Sequence, residues 1–201
     1  MKFLFIVQGE GRGHFTQAIT LEDMLLRNGH QVVEVLVGKS SSRTLPGFFN
    51  RSIQAPVKRF TSPNFLPTAE NKRADLKKSF AYNLIHVPEY FRSMCYINQR
   101  IKETGAEVVI NFYELLTGLT YALFSPSVHY VCVGHQYMFL HKNFEFPRKS
   151  MIQLSILRFF TRLTSLRANR RLALSFHKMN PDRAEGITVV PPLLRREVTA
   201  I

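Results

Sequence analysis

Residues 1–14, MKFLFIVQGEGRGH, run from an unbroken apolar strand into a glycine-rich turn that ends in a histidine. Phe3, Leu4, Phe5, Ile6 and Val7 lack polar alternation, the pattern of a strand covered on both faces in a parallel sheet. Gly9, Gly11 and Gly13 follow at alternate positions. They predict a turn that uses positive φ and admits a ligand where a Cβ would obstruct it. Ala18, Leu21, Leu25 and Leu26 then recur at helical spacing. The turn therefore opens a helix, whose free N–H groups and dipole favour an anion.

Outward from this junction, strand and helix patterns alternate, which predicts an α/β, doubly wound parallel sheet of Rossmann-like type. Strands are expected at 31–37 (stopped by Gly38), 57–60, 106–111, 127–133, 172–176 and 187–190. Helical patterns cover 71–102, broken at Pro88, and then 115–124 and 148–171. His129, inside a strand, is expected in the core. At 201 residues the chain accommodates one large domain, assigned to 1–186. Residues 187–201 read as a last strand and the start of a linker, because Val190-Pro191-Pro192 leaves the sheet through a double proline. A further domain is expected beyond it.

Composition narrows the class. Hydrophobic residues make up 45%, which excludes disorder as the main state. The 27 Lys and Arg against 14 Asp and Glu give a formal charge of +13, pointing to an anionic partner such as a phosphorylated substrate or an anionic membrane. Nucleic acid is disfavoured because no recognised binding module occurs. Cys95 and Cys132 lack metal or disulfide spacing and read as free thiols in a reducing compartment. The chain is assigned to the cytoplasm, with peripheral contact on the inner membrane face. In 148–171, Ile152, Ile156, Phe159, Phe160, Leu163 and Leu166 fall on one side and Arg158, Arg162, Arg167, Arg170 and Arg171 largely elsewhere. Such a helix either lies on an anionic membrane or packs in the core with a solvated basic face.

Ligands of an open parallel sheet gather beyond the carboxyl ends of its strands. That rule selects Gly9 to His14 after the first strand, Asn111, Tyr113 and Glu114 after 106–111, and His135 and Gln136 after 127–133. His14 suits a general base, since a helix N-terminus keeps its ring neutral. His135 suits orientation of an acceptor or a phosphate, and Glu114 suits either catalysis or a helix N-terminus. His129, His135 and His141 lack metal-ligand spacing, so no metal is expected. The glycine loop is not a dinucleotide fingerprint, because the third glycine position holds His14 and no acidic residue follows strand two. Nor is it a Walker A loop. No cofactor is expected.

With these residues in place, the chain resembles the N-terminal domain of GT-B glycosyltransferases around family 28, the group that includes the lipid II-forming N-acetylglucosaminyltransferase. The resemblance rests on Gly9-Glu10-Gly11-Arg12-Gly13-His14, Gln17-Ala18, Gly29-His30-Gln31-Val32, Val109 to Glu114, Gly134-His135-Gln136 and Val190-Pro191-Pro192. It implies inverting sugar transfer from a nucleotide-diphospho-sugar, bound by a C-terminal domain, to a lipid-linked or glycan acceptor. By that resemblance His14, Glu114 and His135 form the catalytic group, and Gly9, Gly11, Arg12, Gly13, Asn111, Tyr113 and Gln136 bind substrate. This half alone is expected to be inactive. Asn111 departs from the Asp often found there and cannot act as a base. The alternatives are a sugar-nucleotide epimerase of the same fold, or a non-catalytic domain binding anionic lipid or glycan.

Overall fold

The computed structural model describes residues 1–39, 44–63, 83–146 and 151–194. Among them seven parallel strands form one sheet: β1 (Lys2–Gln8), β2 (Gln31–Lys39), β3 (Val57–Thr61), β4 (Val108–Phe112), β5 (His129–Gly134), β6 (Arg170–Leu174) and β7 (Ile187–Val190). Their spatial order is β3-β2-β1-β4-β5-β6-β7. The sheet grows one way from β1 and then the other from β4, so the switch point that gathers ligands in such sheets lies between β1 and β4.

The apolar run of β1 fills both layers of the core. Phe3, Phe5 and Val7 pack with Phe15 and Ala18 of α1 (Arg12–Arg27) and Phe49 of α2 (Gly47–Ser52). Leu4 and Ile6 face Ile97 and Ile101 of α3 (Val87–Glu103) and Leu116 of α4 (Leu115–Phe124). A 3-10 turn, His135–Leu140, follows β5, and α5 (Met151–Leu163) leads toward β6.

Several expectations are corrected. Pro88 sits in the first turn of α3 and starts the helix, since its missing N–H has no partner to lose there; residues 71–82 lie outside the described ones. The helix expected at 148–171 ends at Leu163, with 148–150 outside the described residues. The Thr161, Thr164 and Ser165 hydroxyls bond to carbonyls three or four residues back, which competes with the helix ladder. Arg167 then turns at φ 61°, and Arg170 and Arg171 belong to β6. The solvent face of α5 is apolar, with Met151, Ile152, Ile156 and Phe159 exposed. Its arginines turn elsewhere, Arg162 to Glu185 and Arg158 to the Phe139 carbonyl. His129 opens β5 and is exposed rather than in the core. None of Gly9, Gly11 and Gly13 has a positive φ. Gly9 serves close approach instead: a Cβ there would lie 2.6 Å from the Gly38 carbonyl that its own N–H bonds.

Candidate active site

The chain leaves β1 through Gly9 and enters α1 with Gly11 as N-cap, no side-chain cap and no acidic residue in the first turn. Gly11, having no side chain, offers no cap of its own to the first N–H groups of the helix. Arg12 and Gly13 are exposed, and a Cβ on Gly13 would meet nothing within 4 Å.

His14, on the third helical position, turns back toward the sheet and is only 5% exposed. Its ring lies nearly parallel to that of Tyr113, 14° between planes and 6.0 Å between centroids. Tyr113 itself holds a left-handed backbone, φ 62°, which a non-glycine residue adopts at a cost of about 1–3 kcal/mol. Its hydroxyl hydrogen-bonds Thr161 at 2.8 Å, and the Tyr137 and Phe160 rings flank it. The Gln136 amide nitrogen lies 3.2 Å from His14 Nε2. With that amide donating, Nε2 accepts and Nδ1 carries the proton.

Burial first, and then the neighbouring His135, push the His14 pKa down to about 4. Gln17 lies beside the ring and pulls the other way without completing a hydrogen bond. His14 Nδ1 and Gln17 Oε1 are both buried with no partner, as is Gln136 Oε1. The neutral imidazole at the switch point thus carries one unpaired nitrogen and has the unpaired amide oxygens of Gln17 and Gln136 near it. The participation of Gln17 was legible only as a side chain three residues beyond His14, hence on the same helix face. His135 is exposed, and its pKa is lowered by partial burial of the ring.

Asn111 and Glu114, expected beside these histidines, are placed otherwise: both are 0% exposed and engaged within the protein. Asn111 Oδ1 accepts from the Glu114 N–H at 2.8 Å. Its Nδ2 divides two N–H groups among Thr164 O at 2.8 Å, Tyr130 Oη at 2.8 Å and Glu114 O at 3.0 Å. Glu114 is the N-cap of α4, accepting from the Thr117 N–H at 3.1 Å and from the Ser62 hydroxyl. Complete burial, opposed by these hydrogen bonds, raises its pKa to about 7. These two residues tie the end of β4 to α4, α5 and the end of β3.

A family model described as glycosyl transferase family 1 matches residues 1–201. The chain belongs to glycosyl transferase family 1. Solved structures of similar fold include Phytolacca americana UGT2 complexed with UDP-2-fluoro-glucose and pterostilbene (11% identity, TM-score 0.58, covering 97% of this chain and 55% of that one). Arabidopsis thaliana UGT89C1 complexed with UDP-L-rhamnose is another (16%, 0.56, 99% and 55%), as is the glycotransferase of kitacinnamycin (13%, 0.55, 97% and 52%). This family 1 chain has the fold of an N-terminal GT-B domain and spans about half the length of those structures. No curated protein sequence matches it significantly.

Proposed function

We propose that this chain is the acceptor-side half of an inverting glycosyltransferase in which His14 is the general base. The observation that carries the reading is the neutral, buried imidazole at the β1/β4 switch point, locked between Tyr113 and Gln136 while Nδ1 remains unpaired. An acceptor hydroxyl takes the place of the Gln136 amide at Nε2 and gives its proton to the ring as its oxygen attacks the anomeric carbon. The bond from that carbon to the donor phosphate breaks, and the nucleoside diphosphate leaves with the electron pair. Nδ1 keeps its proton, and the imidazolium formed has the unpaired Gln17 Oε1 nearby to accept from it. The open N-terminus of α1, with Gly11, Arg12 and Gly13, faces the developing negative charge of the diphosphate.

A nucleotide-sugar donor fits this reading, because UDP or a UDP-sugar is present in the Phytolacca and Arabidopsis structures of like fold. The donor is bound by a second domain joined after Val190, and this half alone does not turn over. In the two-domain enzyme His14→Ala lowers kcat by about 10²-fold or more, the low end of what a general base supplies. Unchanged turnover would remove His14 from the mechanism.

The acceptor reading extends to a membrane-borne substrate on one observation, the exposed stripe Met151, Ile152, Ile156 and Phe159 on a chain of charge +13. Among the described residues no helix is long and apolar enough to cross a membrane, so the contact proposed is peripheral. Sedimentation with anionic vesicles tests it: Ile156→Asp abolishes binding if the stripe inserts, and binding equal to the parent's defeats the proposal.

A further inference from the structure

The end of the sheet away from His14 holds a cleft with no part in the proposed reaction. It opens at the amino ends of β5 and β6, about 20 Å along β5 from His135. Its volume is about 270 Å³, and Tyr121, Ser125, Ser127, His129, Arg167 and Asn169 line it. These residues fall within the described stretches 83–146 and 151–194, well away from their ends. Among the described residues three non-glycines hold a positive φ. Tyr113 is the one stacked on His14; the other two, Ser125 at 47° and Arg167 at 61°, both line this cleft. There the Arg167 guanidinium donates to the Ser125 hydroxyl. Left-handed backbone is costly for residues other than glycine and asparagine, and such strain gathers where a ligand is held.

The side chains of the cleft are arranged as donors. Asn169 Oδ1 accepts from the Tyr130 N–H at 2.7 Å, so the two amide protons are the part of Asn169 left for a ligand. Ser125 Oγ accepts from Arg167 and keeps its own proton to give. Tyr121 forms the base, its ring stacked on Tyr130 with centroids 4.1 Å apart and its hydroxyl donated to the Val128 carbonyl at 3.1 Å. No carboxylate lines the cleft. Arg100 and Arg162 are paired with Glu34 and Glu185, whereas Arg167 has no carboxylate partner among the described residues. A capping role at the end of α4 does not account for Arg167. Its bond goes to a hydroxyl, and the Tyr121 carbonyl at that helix end already accepts from the Ser125 N–H at 3.1 Å.

We infer that this cleft is a second ligand site and binds a phosphate group. The planar fork of Arg167 suits two oxygens of one phosphate. Donors on Ser125, Ser127, His129 and Asn169 come from two separate segments, which suits a tetrahedral anion better than a flat carboxylate. The space lies below the usual range of about 300–1,000 Å³ for drug-sized ligands, so the occupant is inorganic phosphate or a compact phosphate monoester, not a nucleotide-sugar. The site stands independently of the role given to His14.

The test titrates the full chain with inorganic phosphate at constant pH and ionic strength and reads the side-chain ¹⁵N signals of Arg167 and Asn169. Saturable shifts are expected at both, with a dissociation constant of about 1 mM or tighter, and acetate should bind at least fivefold more weakly. Asn169→Asp keeps an oxygen for the Tyr130 N–H but replaces the donor by a negative charge. It should weaken phosphate about tenfold, read at Arg167, without a change in melting temperature. Arg167→Asn removes the cation and leaves a residue that tolerates the left-handed backbone; it should weaken phosphate as much, read at Asn169. Phosphatidylcholine vesicles with and without phosphatidic acid identify the source. Shifts with free phosphate make the ligand a dissolved one, and shifts only with phosphatidic acid make it a headgroup. Absence of saturable shifts with either probe, shifts confined to the Arg12 and Gly13 amides, equal binding of acetate, or parental affinity in both variants overturns the inference.

Discussion

The ends of β1 and β4 are neighbours at the centre of the sheet, and both hold buried polar side chains, yet they treat them in opposite ways. At β4, Asn111 and Glu114 have their polar atoms answered by Ser62, Thr117, Tyr130 and Thr164. At β1, His14 and Gln17, met by Gln136 from the turn after β5, each leave an atom unanswered. An unsatisfied buried polar group costs about 1–3 kcal/mol, so the first arrangement is a framework and the second stores a deficit that a ligand can relieve. Burial alone does not separate the two kinds of site. Satisfaction of hydrogen bonds does.

Substitutions at the two ends should therefore divide between stability and function. The largest effect on folding is expected from Asn111→Leu, which strands the Glu114 N–H and takes a donor away from Tyr130 Oη and Thr164 O, left only with each other. A loss of about 4 kcal/mol in urea unfolding is expected from a buried network of this kind. A loss below about 1 kcal/mol would mean that Asn111 is not the knot described. Glu114→Gln sharpens the contrast through pH. The folded pKa of Glu114 is raised to about 7 from an ordinary 4.5, so its stabilising contribution is complete below about pH 4.5 and is lost as pH rises through 7. Between pH 5 and 8 the parent should lose up to about 3 kcal/mol relative to the variant, and parallel pH profiles would refute the assignment. His14 acts in the opposite sense. Its folded pKa lies below the ordinary value, so its contribution falls away as pH drops from 6.5 toward 4. The smallest change in stability is expected from His14→Ala at pH 7, within about 1 kcal/mol, because the lost packing is offset by removal of an unpaired buried nitrogen. The same substitution is the one expected to lower turnover most in the two-domain enzyme.

Much of this architecture is legible in the chain. The run Phe3–Val7 declares a doubly covered central strand, and the bounds of α4 and β7 follow from their apolar patterns. That His14 and Gln136 come to the same edge of the sheet is legible, because the strand-end rule needs no contacts. The fate of Asn111 and Glu114 is not, since the same rule places them at the edge while distant Ser62, Tyr130 and Thr164 draw them inward. The early end of α5 is hidden for a related reason. Its helical periodicity continues past Leu163, but the Thr164 carbonyl is taken by Asn111 and Tyr130. The positive φ expected of the glycine loop appears instead at Tyr113, where the ring stacked on His14 gives strain a purpose.

The strand order has a consequence in time as well as space. β1 lies between β2 and β4, and Phe3 pairs with Val108, about 100 residues later in the chain. At ~5–20 residues per second of synthesis, the roughly 70 residues between β2 and β4 leave one edge of the most apolar strand bare for roughly 4–15 seconds after β2 can pair with the other. That interval, rather than the finished fold, is when the protein is most exposed to aggregation through an open strand edge. A growing chain halted before Val108 should therefore need a holding chaperone that the finished domain can do without.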